Sequence, residues 1–136
     1  MRHMDDAPAS WPLGRLLAAA ARSVEHEWDG RLRAVGLPHA AVIVLDILVR
    51  TGPTGADTLA RLARVQPQTM SRTLERMERD GLVEREPHPD DRRRRVVTIT
   101  ERGTASWQTA RHIEHEVVPD DPELRRALLR IISPSD

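Results

Sequence analysis

Apolar side chains recur every three or four residues from Trp11 to Val35, and Gly36 ends the pattern. This spacing predicts an amphipathic helix. A helix of roughly 24 residues is about 36 Å long. Because that length is large for a chain of 136 residues, part of its apolar stripe is expected to pack on a second chain. Residues 1–10 are small and polar, and they are predicted to be a flexible N-terminus.

Two shorter helices are predicted next. Pro38 marks the start of the first, and residues 41–49 are apolar almost all round, as in a helix at the centre of a core. Gly52-Pro53 ends this helix. Thr54 lies three residues before Asp57, which is a variant of the capping box, and it predicts the start of a second, short helix.

A helix with one apolar and one polar face is predicted between Gln66 and Gly81. Gln66-Pro67 fits an N-cap and a first helical position, and Gly81 fits a left-handed stop. At about 100° per residue, the buried side is predicted to carry Met70, Leu74 and Met77. The outward side is predicted to carry Gln68, Arg72, Glu75 and Arg79, flanked by Thr69 and Arg76.

The hydrophobic period then changes to that of β-strands. Residues 82–86 and 95–100 are rich in β-branched side chains, and a tract with Pro87, Pro89 and Asp90 joins them, which predicts a β-hairpin. Short helix, turn, second helix and hairpin is the order of a winged helix-turn-helix. The predicted fold class is therefore mainly α with a small β-hairpin. Its winged helix-turn-helix core covers residues 38–100, with the wing at about residues 82–100.

After a Thr100 cap, residues 101–118 return to a helical pattern. Pro119 and Pro122 interrupt it, and a last short apolar helix is predicted to follow.

Composition narrows the classes of function. The absence of cysteine excludes disulfides, Cys-ligated zinc and cysteine nucleophiles. The longest run without a charged side chain, residues 34–45, is shorter than the roughly 20 residues of a membrane helix, so a cytoplasmic protein with no membrane partner is expected. Without Phe or Tyr, the chain lacks the aromatic rows on which single-stranded nucleic acids stack. Because no catalytic or phosphate-binding motif occurs, neither enzyme activity nor a cofactor is expected.

The 21 basic residues, all arginine, are balanced by 21 acidic residues, so net charge does not indicate nucleic-acid binding. The distribution of charge does. Near the start of the helix that follows Gln66, four side chains could reach base edges or phosphates of double-stranded DNA. They are Gln68, Thr69, Ser71 and Arg72. An ordinary surface helix of an arginine-rich protein is the alternative.

Four consecutive arginines follow Asp90 and Asp91 where the tip of the hairpin would project: Arg92, Arg93, Arg94 and Arg95. Adjacent guanidinium groups repel, so they need counter-charge from the two acids or from phosphates. Strand alternation would send Arg93 and Arg95 to one face and the other two to the opposite face. One pair could then brace the wing while the other enters a minor groove. A solvated loop tip is the alternative.

Residues 65–85 and 89–103 together resemble the MarR family of bacterial transcriptional regulators, and a weaker match extends back through residues 37–63. The resemblance implies that residues 11–136 form one domain. It also implies a homodimer in which the helices at 11–36 and 101–136 of the two chains interlock. It also implies a recognition helix in the major groove and a wing arginine in the minor groove of a pseudo-palindromic operator. The expected function is therefore sequence-specific regulation of transcription, with repression the expected outcome.

By position, the resemblance makes Arg93 the wing arginine, and it makes Asp91 the acid that orients the wing by pairing with an arginine. Gln68, Thr69, Ser71 and Arg72 match the turn that contacts bases and phosphates. Arg76 is either a phosphate contact or a brace between the helix and the wing. Arg85, which closes the Gly-Leu-Val-x-Arg segment of the family, is expected to be structural. Pro119 and Pro122 depart from the family pattern, which affects the expected detail of the dimer interface.

Two further kinds of site have weaker support. The family often binds a small aromatic or anionic effector between its dimer-forming and DNA-binding parts, but no linear motif marks such a pocket. Packing or surface positions are the preferred interpretation of the candidates Trp11, Arg15, His26, Trp28 and Trp107. His112 and His115 share a helix face, but two histidines are only half of a zinc site, so no metal is expected.

The alternative function is a winged-helix module that binds an acidic protein partner and does not read DNA. Acidic side chains alternate with the arginines of the predicted helix and hairpin, which favours this alternative: Glu75, Glu78, Glu84 and Glu86. A basic stripe that faces the same way on both protomers would favour DNA instead.

Overall fold

The computed structural model of the chain describes residues 7–133. Within that range, six α-helices and three short β-strands follow a 3₁₀ turn at Pro8–Ser10. The helices are α1 (Leu13–Ala34), α2 (His39–Thr51), α3 (Ala56–Ala63), α4 (Pro67–Arg79), α5 (Glu101–Val117) and α6 (Pro122–Ile132). The strands are β1 (Thr54–Gly55), β2 (Val83–Pro87) and β3 (Arg95–Ile99). Residues 1–6 of the predicted flexible N-terminus lie outside the described residues.

Local signals in the sequence set the ends of α4 and α5 as predicted. Gln66 is the N-cap of α4, and Gly81, with φ of 75°, follows its C-terminus. The N–H of Leu82 donates to the carbonyl oxygen of Met77 at 2.9 Å, the long bond of a Schellman motif. At the start of α5, the Thr100 hydroxyl accepts a hydrogen bond from the N–H of Gly103 at 3.0 Å.

The sheet has one strand more than the predicted hairpin. β2 and β3 pair antiparallel, and β1 pairs with the other edge of β3, with Thr54 opposite Val97. The capping box predicted at Thr54 is wrong, because α3 begins after Gly55 and the Thr54 hydroxyl donates to the carbonyl oxygen of Gly52 at 2.7 Å. A strand of two residues is too short to show an alternating pattern in the sequence.

The core lies where α2, α3, α4 and α5 pack on the sheet. Met70, Leu74 and Met77 are buried in it, as the helical periodicity of α4 predicts. At the two ends of the chain the pattern differs. Leu32 is the only buried residue of α1, and α6 has none within the described part of the chain. Leu13 is 81% exposed and Ile132 is 74% exposed, so both terminal helices present uncovered apolar side chains.

Between residues 7 and 133, no single helix is long and apolar enough to cross a membrane. α1 and α2 pass such a test only as a pair, and the two are bent by 88°. Five residues of α2 are buried within the protein: Ala41, Val42, Val44, Leu45 and Leu48.

Candidate nucleic-acid interface

The face of α4 that points away from the core is polar and open to solvent. Its predicted contact residues are all exposed: Gln68, Thr69, Ser71, Arg72 and Arg76. In residues 7–133, the side chains of Gln68 and Arg72 have no hydrogen-bond or ion-pair partner. Their amide and guanidinium donors are therefore available to a ligand.

An ion pair connects α4 to the wing, and it involves Arg85 rather than Arg76. Nε of Arg85 in β2 donates to Oε2 of Glu78 at 2.7 Å, and the Arg85 side chain is only 25% exposed. The structural interpretation of Arg85 is therefore confirmed. Nε of Arg76 lies 4.0 Å from Oδ2 of Asp80 on the same helix. No spacing rule in the sequence connects Glu78 to Arg85, because the stop at Gly81 turns the chain between them.

Arg72 and Arg76 also face the start of α2 across a pocket with a volume of about 280 Å³. Pro38 is the N-cap of α2, and no side chain caps this helix end. The first N–H groups of a helix carry partial positive charge. Both the guanidinium groups and the helix end therefore favour negative charge in this pocket, while Asp80 at its edge opposes it.

The wing arginines are arranged by a turn and not by strand alternation. β3 begins at Arg95, and Arg92, Arg93 and Arg94 lie in the turn before it, so the alternation predicted through all four residues is wrong. All four side chains are exposed. One pocket, with a volume of about 390 Å³, lies between the wing and the first residues of α3, and it is lined by Arg93, Arg94 and Arg95.

Asp91 shapes this turn through the main chain. Its Oδ1 accepts a hydrogen bond from the N–H of Arg93 at 3.0 Å, and its carbonyl oxygen accepts one from the N–H of Arg94 at 3.0 Å. A side-chain bond to the N–H two residues later is an Asx turn. Asp91 has no ion pair with an arginine in the described part of the chain. Asp91 therefore contacts the backbone of the turn, and not a guanidinium group as the resemblance implied.

The residues considered for an effector cleft are largely engaged by neighbours. Arg15 stacks on the Trp11 ring at 4.7 Å, and the edge of Trp28 meets His39 at a centroid distance of 4.7 Å. Nε1 of Trp107 donates to Asp46 at 3.2 Å. His26 is exposed on α1. These contacts agree with packing and surface roles for the group.

The histidines of α5 belong to a surface network. Nε2 of His112 lies 2.8 Å from Oε1 of Glu116, and His115 is exposed. Glu116 also pairs with Arg31 of α1, whose hydrogen bond and charge lower the pKa of the Glu116 carboxyl. Partial burial, with repulsion from Asp46, raises the pKa of Glu114. Over residues 7–133, no group of three or more His, Asp or Glu side chains is arranged to hold a metal ion.

The family relationship of the chain follows from its helix-turn-helix and wing. Residues 37–94, from just before α2 to the wing turn, match the family model described as MarR family. The HTH-type transcriptional repressor Rv2887 of Mycobacterium tuberculosis is 33% identical over 101 residues, which cover 74% of this chain and 70% of that protein. The chain belongs to the MarR family. It spans about half the length of other curated relatives that it matches, mycobacterial HTH-type transcriptional regulators.

Solved structures of MarR-type proteins share the fold. The apo form of wild-type MarR from E. coli has a TM-score of 0.73 at 23% identity and covers 91% of this chain and 98% of its own. A MepR mutant from Staphylococcus aureus, bound to an oligodeoxyribonucleotide, has a TM-score of 0.68 at 17% identity. The match covers 90% of this chain and 97% of the MepR chain. The predicted fold class, mainly α with a small antiparallel sheet, is confirmed.

Proposed function

We propose that this MarR-family chain is a homodimeric, sequence-specific double-stranded DNA-binding protein that represses transcription in the cytoplasm. The observation that carries the proposal is the solvent-facing surface of α4, braced to an arginine-bearing wing by the contact between Arg85 and Glu78. Amide and hydroxyl side chains at the start of α4 suit base edges in a major groove. Arginines at the wing tip suit the negative potential of a narrow minor groove. The fold shared with the DNA-bound MepR mutant adds support.

The uncovered apolar faces of the terminal helices support the homodimer. Leu129, Ile131 and Ile132 of α6 are each more than half exposed, and so is Leu13 of α1. Covering such faces stabilises an assembly by about 25 cal/mol per Å² of apolar surface. A two-fold symmetric pair places its recognition helices about one DNA turn apart, roughly 34 Å. The proposed operator is therefore pseudo-palindromic.

Release of DNA by a small aromatic or anionic effector is the regulatory part of the proposal. A cavity of about 260 Å³ between α2 and α5 is lined by Trp107, Arg50 and Arg111, beside Asp46 and Glu114. An aromatic ring and two guanidinium groups are the chemistry that an aromatic anion would contact. Because Trp107 and Arg50 bond to Asp46 and Arg111 stacks on Trp107, such a ligand would bind by replacing these contacts. A ligand in this cavity would contact both α2 of the helix-turn-helix and α5.

Selection from a random pool of double-stranded DNA at two salt concentrations tests the proposed function. The protein is used as the full chain, with its oligomeric state measured by light scattering. Enrichment of a two-fold symmetric motif is the expected result. Weak binding that is lost at the higher salt, with no motif enriched, would contradict it and favour a module that binds an acidic protein.

Arg72→Ala and Arg76→Ala are expected to differ in kind. Arg72 lies next to the turn proposed to read bases, so its loss should relax the preference at particular base pairs, by about 1–3 kcal/mol of discrimination. Arg76 lies farther along α4 and is proposed to contact phosphate, so its loss should weaken binding to all sequences and reduce the salt slope by about 1 per contact. Repeating the selection with each variant measures both effects. An unchanged motif for Arg72→Ala would make Arg72 a phosphate contact as well.

A further inference from the structure

One histidine joins the two ends of the wing loop. His88 directly follows β2 and is partly buried. Its N–H donates to the carbonyl oxygen of Arg94 at 2.8 Å, and its own carbonyl oxygen accepts from the N–H of Asp91 at 3.3 Å. Its ring adds a third bond, in which Nδ1 accepts from the N–H of Asp90 at 3.0 Å. The shape of the loop that carries the wing arginines therefore depends on contacts of His88.

The bond from Asp90 requires the neutral ring. An imidazole nitrogen accepts a hydrogen bond only while it carries no proton, and both nitrogens of the charged ring are donors. Protonation would replace the acceptor at Nδ1 with an N–H group directed at the N–H of Asp90. Two donors cannot bond to each other, so the charged ring must turn away or the loop must open.

Charged side chains of both signs lie around His88. His88 lines the pocket of about 390 Å³ at the wing, whose charged residues are Arg93, Arg94 and Arg95, and Asp57 of α3. Asp90 and Asp91 follow His88 in the loop itself. A proton on His88 adds positive charge beside three arginines, while the three carboxylates partly offset it.

We propose that His88 is a positioning residue for the wing, which makes DNA binding depend on pH. The inference rests on the proposed DNA-binding function and concerns the same surface. The neutral ring holds the N–H of Asp90 in the loop that presents Arg93, and protonation breaks that bond. Operator affinity is therefore expected to be higher while the ring is neutral than when it is protonated.

Two substitutions at position 88 distinguish the effect of the hydrogen bond from the effect of ring protonation. The side-chain oxygen of asparagine can accept from the N–H two residues later, as in an Asx turn, and it does not titrate. His88→Asn should therefore keep the contact at every pH, whereas His88→Ala should lose it at every pH. Operator binding is measured by fluorescence anisotropy for the wild type and both variants, at about pH 8 and about pH 5.5, with ionic strength held constant.

At about pH 8, we expect the wild type and His88→Asn to bind alike and His88→Ala to bind roughly 3- to 10-fold more weakly, the effect of about one hydrogen bond. At the lower pH, the wild type should approach the affinity of His88→Ala. The ratio between the two variants should not change, because neither titrates at position 88. Amide exchange of Asp90 in the free protein should be slow in the wild type at the higher pH and in His88→Asn, and fast in His88→Ala.

Several results would overturn the proposal. If the wild type gained affinity relative to His88→Asn at the lower pH, His88 would act as a cation on a phosphate and not through the loop. Equal binding of His88→Ala and the wild type at the higher pH would show that the contact at Nδ1 does not position the wing. A wild type that binds no sequence specifically at either pH would instead refute the proposed function, and the exchange of Asp90 would still test the contact.

Discussion

Arg93→Ala is expected to weaken operator binding of the proposed dimer by roughly 100-fold, about tenfold for each wing. Arg93 lies at the tip of the loop, and its N–H is held by Oδ1 of Asp91 at 3.0 Å. Its side chain is exposed. The backbone at position 93 is thus fixed while the guanidinium is free to enter a minor groove. Such an arginine acts largely through its charge, so the salt slope should fall by about 1 for each wing.

Anisotropy titrations of the selected operator over a series of salt concentrations measure both quantities. Arg61→Ala is a matched control, because it removes the same charge from an exposed position on α3, outside the recognition helix and the wing. The affinity of Arg61→Ala for the operator should stay within about twofold of the wild-type affinity, because a distant surface charge has only a small effect. If Arg93→Ala bound the operator as tightly as Arg61→Ala, Arg93 would not be the wing contact.

Gly103→Ala is expected to lower the free energy of unfolding by about 2 kcal/mol or more. A Cβ at this position would overlap the carbonyl oxygen of Leu82 and would lie 2.8 Å from Cγ1 of Ile99. The Leu82 carbonyl cannot easily withdraw, because it accepts the N–H of Thr100 at 3.1 Å and follows the stop of α4. Alanine would add roughly 1 kcal/mol of helix propensity, which the clash with main-chain atoms exceeds.

Urea unfolding and thermal unfolding at one fixed protein concentration test this expectation, since the proposed dimer would make Tm depend on concentration. A fall in Tm of roughly 6–10 °C corresponds to the expected loss in a domain of this size. Gly30→Ala in α1 is the control, because nothing lies within 4 Å of a Cβ built there. It should be neutral or slightly stabilising. Equal stability of the two variants would mean that α5 does not approach Leu82 this closely in solution.

The elements of the recognition half could be predicted because their signals are local. Pro67 at the first helical position starts α4. The stop at Gly81 and the Thr100 cap each act through hydrogen bonds within a few residues. Periodicity separated the buried Leu74 from the exposed Arg72 in the same way.

Contacts between distant segments could not be predicted. β1 exists only because Thr54 pairs with Val97, and two residues carry no period of their own. The glycine requirement at position 103 comes from a carbonyl oxygen at Leu82. A glycine inside a helical pattern is the one signal that could have suggested such a close approach.

The sequence by itself therefore determined the helices, their ends, the polar face of α4 and the presence of an arginine-bearing hairpin, because backbone geometry and side-chain periodicity act over a few residues. Only the tertiary structure decided how those parts are held. It chose Arg85 and Glu78 as the brace between α4 and the wing, and it paired Thr54 with Val97 at the edge of the hairpin. Such contacts depend on which atoms meet after the chain has turned, and residue spacing does not encode that.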